Sequence, residues 1–191
     1  MMVYNTNTTT GEGFLNWNDN KWNRLTTTTD VHVGASTMVF QAEYPGAALK
    51  ADGSDNNGIM ISDNGGVSAN WMNYYQWWSG DIIQQDYDIA LRITLPDDFN
   101  SWQDDAIEIY YQTSNASTDQ CSFSAEVYLE SSGIALAEIL PVASTSWVVA
   151  TVPSGSLDTL AAGETIVVLL TLSSSNDQYA RLGDVSLNYN K

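Results

Sequence analysis

Large apolar side chains recur at every second position along most of this chain. Tyr87, Ile89, Leu91, Ile93 and Leu95 are apolar, while Asp88, Ala90, Arg92 and Thr94 between them are small or polar. A period of two puts one set on each face of an extended segment, so this stretch reads as a half-buried β-strand. Pro96, which has no N–H to give a ladder, ends it. The same reading gives strands over Thr37 to Tyr44, Ile59 to Ile61, Ile107 to Gln112, Phe123 to Glu130, Trp147 to Thr151 and Val185 to Tyr189. Ser131-Ser132-Gly133 reads as a hairpin turn into Ile134-Ala135-Leu136. Ile166 to Leu172 is apolar on both faces, which predicts a central strand or one whose outer face meets a partner. Leu157 to Gly163 is the one stretch that suits a helical turn, with Gly163 as its stop. Roughly eight to ten short strands with Gly, Asn, Asp and Ser between them predict an all-β fold: an antiparallel β-sandwich, of the jelly-roll kind.

Residues 1–30 break the pattern. They are rich in Asn and Thr, and their few large apolar side chains include Phe14, Trp17 and Trp22. The segment reads as an extended N-terminal arm, irregular or built of a pair of short edge strands, ahead of a single sandwich domain over 31–191. Tryptophans are seldom left loose in water, so Phe14, Trp17 and Trp22 are candidates for contact with a neighbouring subunit or a capsid surface.

Charge narrows the range of partners. The chain carries 23 acidic against 6 basic side chains, a net charge of −17. Such a surface repels phosphate, which argues against nucleic acid and anionic membrane as ligands. No apolar run is long enough to span a bilayer. The N-terminal residues lack the basic start and apolar stretch of a secretory leader. The expectation is therefore a chain kept in a cytoplasm, released by lysis, or recorded without its leader.

Catalytic chemistry finds little to work with. One cysteine, Cys121, and one histidine, His32, exclude a disulfide framework and a zinc site built on Cys or several His. Cys121 reads as a small buried residue or free thiol, and His32 as a structural histidine. Acidic pairs such as Asp97-Asp98 and Asp104-Asp105 read as solvated loops, and no pair of carboxylates is singled out as a glycosidase would require. The chain is read as a non-enzyme.

Two clusters invite a binding role. The run from Trp71 to Trp78 holds Trp71, Tyr74, Tyr75, Trp77 and Trp78. On one continuous strand, Trp71, Tyr75 and Trp77 share a face and Tyr74 and Trp78 take the other. One face fills a core; the other is covered within the fold, forms a subunit interface, or makes an aromatic shelf for sugar rings. Asp52, Asp55 and Asp63, among Asn and Gly, have the oxygen ligands calcium prefers. They match no EF-hand spacing, and a polar turn accounts for them equally. No other cofactor is expected.

Ala51 to Gly58, Asn73 to Trp77, Gln85 to Pro96, Tyr110 to Ser114 and Leu187 to Tyr189 mark a likeness that extends over about residues 45–190. In that order they resemble a β-sandwich domain of surface and fibre-like proteins of uncultured bacteria and their phages. The resemblance implies a non-enzymatic, outward-facing module. A short sandwich behind an arm is similar to a phage capsid decoration (cement) protein or a small fibre head. That implies a homo-oligomer, commonly a trimer, which meets the major capsid protein or another virion protein and is located on the virion after assembly in a host cytoplasm. The alternatives are a carbohydrate-binding β-sandwich module that takes surface glycans, and an extracellular or cell-surface filament subunit.

Overall fold

The computed structural model describes residues 2–5, 13–18, 21–24, 34–51, 57–67 and 71–191, with the backbone alone for the first three segments and for Lys50 and Ala51. The side chains of Phe14, Trp17 and Trp22, and His32, Asp52 and Asp55 entirely, lie outside the described residues. The chain divides into two compact units, one of residues 1–34 with Lys191 and one of residues 35–190.

The first unit contains a three-stranded antiparallel sheet, β1 (Met2–Asn5), β2 (Gly13–Asn18) and β3 (Lys21–Arg24), in the order β1-β2-β3. The sequence pattern suggests an irregular arm or a pair of short edge strands; the backbone here forms three strands. Trp17 and Trp22 are register partners across β2 and β3.

The second unit holds β4 (Ala35–Phe40), β5 (Ala48–Ala51), β6 (Gly58–Asn64), β7 (Asn73–Ser79), β8 (Gln85–Thr94), β9 (Ser101–Thr113), β10 (Cys121–Leu129), β11 (Ile134–Val142), β12 (Val148–Pro153), β13 (Thr165–Ser174) and β14 (Gln178–Asn190). They form two antiparallel sheets. One has the order β11-β10-β13-β8-β5; the other has β12-β9-β14-β7-β6, with β4 also paired to β14. Apart from the β6–β7 and β10–β11 hairpins, each connection from β4 to β14 passes from one sheet to the other, the wrapping expected of a jelly roll.

The alternation read from the sequence sets the core. Ile89, Leu91 and Ile93 of β8, Phe123, Ala125 and Val127 of β10, and Ile166, Val168, Leu170 and Leu172 of β13 are buried from one side. Tyr75 and Trp77 of β7, Ile107, Ile109 and Tyr111 of β9, and Leu182, Val185 and Leu187 of β14 meet them from the other. β13 is central in its sheet, with Val167 and Leu169 half-buried on the outer face. Cys121 is buried and unpaired in a disulfide.

The turn expected at Leu157 is present: the Leu160 N–H donates to the Leu157 carbonyl at 3.0 Å and Gly163 takes φ 78, with a 3-10 turn at Ser154–Ser156 ahead of it and Leu157 and Leu160 buried. One expectation needs correction. Asp104 and Asp105 belong to β9, not to a loop, because Trp102 and Ala106 on either side are buried and pull the segment into the sheet. No helix among the described residues is long and apolar enough to cross a membrane.

Candidate functional site

The sheet that contains β14 is seamed. On one edge, β14 pairs with β7 over residues 178–182 and with β4 over 185–190, so Gly183 and Asp184 face neither strand. On its other edge the register with β9 shifts at the same place, between Leu182 and Val185. One residue is extra there, a β-bulge, and bulges re-aim side chains.

The chain leaving β4 packs into this seam. Ala42 and Tyr44 are buried and Glu43 between them is exposed, so the alternation outlasts the ladder. The Tyr44 hydroxyl donates to the Gly183 carbonyl, and the Tyr44 N–H donates to the Tyr75 phenolic oxygen at 3.0 Å. Burial, with Tyr75 and Asp184 nearby, pushes the Tyr44 hydroxyl well above its ordinary 10.0, so it remains a donor.

With the backbone fixed in this way, a cleft of ≈ 310 Å³ opens between this segment and the β6–β7 hairpin, lined by Ala42, Glu43, Ser62, Asp63, Asn64 and Asn73. An adjoining hollow adds Val39, Phe40, Gln41 and Pro45 and shares Ala42, Glu43 and Asn73. Ser62 Oγ donates to Glu43 Oε1 at 2.5 Å. Asp63 Oδ1 accepts the Asn64 N–H at 2.7 Å, and Asn64 Oδ1 accepts the Gly66 N–H at 3.1 Å. Among the described residues, the second carboxylate oxygens of Glu43 and Asp63, the Asn64 Nδ2 and the Asn73 amide have no hydrogen-bond partner and can serve a ligand. Acceptors and donors therefore stand together, as a row of hydroxyl groups requires.

Trp71 stands at the tip of the hairpin, two residues before Asn73. The expectation that it shares a strand face with Tyr75 and Trp77 is not met, because β7 begins at Asn73 and the chain before it turns. Trp71 has φ 62, and its N–H donates to the Gly66 carbonyl at 2.7 Å, closing the turn. A left-handed non-glycine residue costs on the order of 1–3 kcal/mol. Trp71 is nonetheless 66% exposed, so burial of the indole does not offset that cost.

The other aromatics of the run divide as follows. Tyr75 and Trp77 enter the core, where Trp77 Nε1 donates to the Gln85 carbonyl at 2.8 Å. Tyr74 and Trp78 face outward. Tyr74 is covered by Trp147, with ring centroids 6.0 Å apart, and by Arg181, 4.6 Å over its ring. Trp78 is half-buried beside Gly58, Ile59, Gly80 and Asp81. Of the proposed calcium ligands, Asp63 lines the cleft, and no group of three or more His, Cys, Asp or Glu side chains among the described residues could hold a metal. Sequence reasoning did not single out Glu43 and gave Asn64 and Asn73 no sugar-binding role: Asn64 and Asn73 meet as register partners of the β6–β7 hairpin, and Glu43 reaches the cleft on the segment after β4.

No family model matches the chain, and no curated protein matches it. Solved structures do. TmCBM61 in complex with β-1,4-galactotriose aligns with a TM-score of 0.52 at 8% identity, covering 77% of this chain and 90% of its own. A family 35 carbohydrate-binding module from Clostridium thermocellum aligns at 0.43 and 17% identity, covering 78% and 97% of the two chains. The enzymatically active domain of bacteriophage CBA120 tailspike protein 4 aligns at 0.46 and 15% identity, covering 77% of this chain and 20% of that one. The first of these likenesses establishes a shared β-sandwich fold.

Proposed function

We propose that the protein is a carbohydrate-binding β-sandwich module whose ligand enters the cleft at the end of the β6–β7 hairpin. The observation that carries this reading is Trp71: a large aromatic ring held out in solvent at a left-handed residue, two positions along the chain from Asn73, which lines a cleft of mixed donors and acceptors. A sugar ring has an apolar C–H face and a rim of hydroxyls. The indole suits the face, and Glu43, Asp63, Asn64 and Asn73 suit the rim. The shared fold with TmCBM61, which is described with a bound galactotriose, supports the same reading. The role is one of binding without catalysis, at a cell surface or outside the cell. Titration of the tryptophan fluorescence with a panel of neutral oligosaccharides tests it. Quenching that W71A abolishes supports it, and silence across the panel overturns it.

A second reading, a virion-decorating homo-oligomer that meets a capsid protein, draws on a different surface. Ile82 and Ile83 are 81% and 68% exposed in the β7–β8 turn, and Ile59, near Trp78, is 56% exposed. Exposed large apolar side chains of this kind suit a subunit contact. Light scattering separates the readings: a trimer at micromolar concentration that ignores glycans favours the virion role, and a glycan-binding monomer favours the first.

A further inference from the structure

A second cluster lies on the outer face of the same sheet, outside the cleft. Arg181 of β14 is the register partner of Gln76 on one side and of Gln112 on the other. Its guanidinium lies 4.6 Å over the Tyr74 ring and 4.4 Å over the Tyr179 ring. Nε donates to Gln76 Oε1 at 2.7 Å, and Nη1 donates to Gln112 Oε1 at 3.1 Å. Arginine is a donor only, so both glutamines must turn their oxygens toward it. Gln112 Nε2 is used on the Thr145 carbonyl at 3.0 Å. Gln76 Nε2 and Arg181 Nη2 have no partner among the described residues, and both side chains are partly open to solvent. No carboxylate among the described residues pairs with Arg181, although the protein is strongly acidic.

We infer that Arg181 and Gln76 form a subsite for the anionic group, carboxylate or sulfate, of an acidic sugar. The cleft offers donors and acceptors, as neutral hydroxyls need. Here the free atoms are all donors beside one fixed charge, which matches a group that only accepts. Two rings and two amides hold the guanidinium in place, so little side-chain freedom is lost when an anion docks. The surrounding charge sets the kind of ligand. Asp63 stands opposite Tyr74, two residues along β7 from Gln76, or about 7 Å. Glu108 stands opposite Ser186, further along β14. A dense polyanion would meet these carboxylates, whereas a glycan with isolated acidic units would not. The inference rests on the glycan reading for the nature of its ligand, but neither Arg181 nor Gln76 lines the cleft.

The test uses methyl β-glucuronide, galactose 6-sulfate and methyl β-glucoside as probes, followed by NMR at the Gln76 side-chain amide and the Arg181 Nε–H. An anionic probe should move both signals and the neutral glucoside should not; whichever anion acts identifies the group. Q76E keeps an oxygen for Arg181 Nε while replacing the free donor with a negative charge. It should weaken the anionic probe at least tenfold with an unchanged melting curve. W71A should leave the response intact. Silence from both anions, an equal response to the glucoside, or an unaffected Q76E would overturn the subsite. Failure of neutral glycans at the cleft with a retained response here would overturn the first reading alone.

Discussion

Tyr75 accepts the backbone N–H of Tyr44 on its phenolic oxygen, and the two rings meet edge to face with centroids 5.2 Å apart. One side chain thus closes the seam between β7 and the segment after β4. Y75F would strand a buried N–H, at a cost of roughly 1–3 kcal/mol. Urea unfolding should show that loss with an unchanged slope, and weaker binding at the cleft.

Asp184 tests the seam by pH. Burial pushes its carboxyl above the ordinary 3.8, and Oδ1 has no hydrogen-bond partner among the described residues. The folded state therefore holds this proton more tightly than the unfolded chain does. Ionisation costs stability as pH rises past 3.8, and the cost is complete above the folded-state pKa. D184N, which cannot ionise, should melt higher than the parent at pH 7. Its advantage should shrink on acidification and vanish below about 3.8. A constant offset across a pH series of melting curves would contradict the assignment.

Gly58 is fixed by contact. A Cβ there would lie 2.2 Å from the Trp77 ring and 2.6 Å from the Trp78 carbonyl oxygen. Trp77 is buried and cannot swing away. G58A should cost roughly 1–3 kcal/mol by thermal or chemical unfolding, the usual range for overpacking.

Trp71 and Trp77 should separate function from stability. W71A removes an exposed ring and should shift stability by less than about 0.5 kcal/mol while cutting glycan affinity at least tenfold. W77A empties a core position and should cost roughly 3–5 kcal/mol. Calorimetric melting and glycan titration of the two variants check both halves.

The alternating strands were legible because contrast between neighbours is what burial of one face demands. β8 shows it at Ile89, Leu91 and Ile93, and β13, apolar on both faces, took its central place. β5 escaped notice because Ala48–Ala51 is four residues with little contrast. Trp71 was assigned to a strand because the aromatic run continues across the point where the backbone turns left-handed, and side-chain type does not report φ. Arg181 was invisible for another reason. Its partners Gln76 and Gln112 are 105 and 69 residues away, brought together by strand order alone.

The seam along β14 also bears on how such a protein changes. Residues 41–47 lie between β4 and β5 and belong to no strand, yet they supply one wall of the cleft. Buried Ala42 and Tyr44 pin this segment, while Glu43 and its exposed neighbours are held by no ladder. Substitutions or short insertions there can reshape the wall without re-registering a sheet. Ligand preference can therefore drift in one short loop while the sandwich beneath it remains the same.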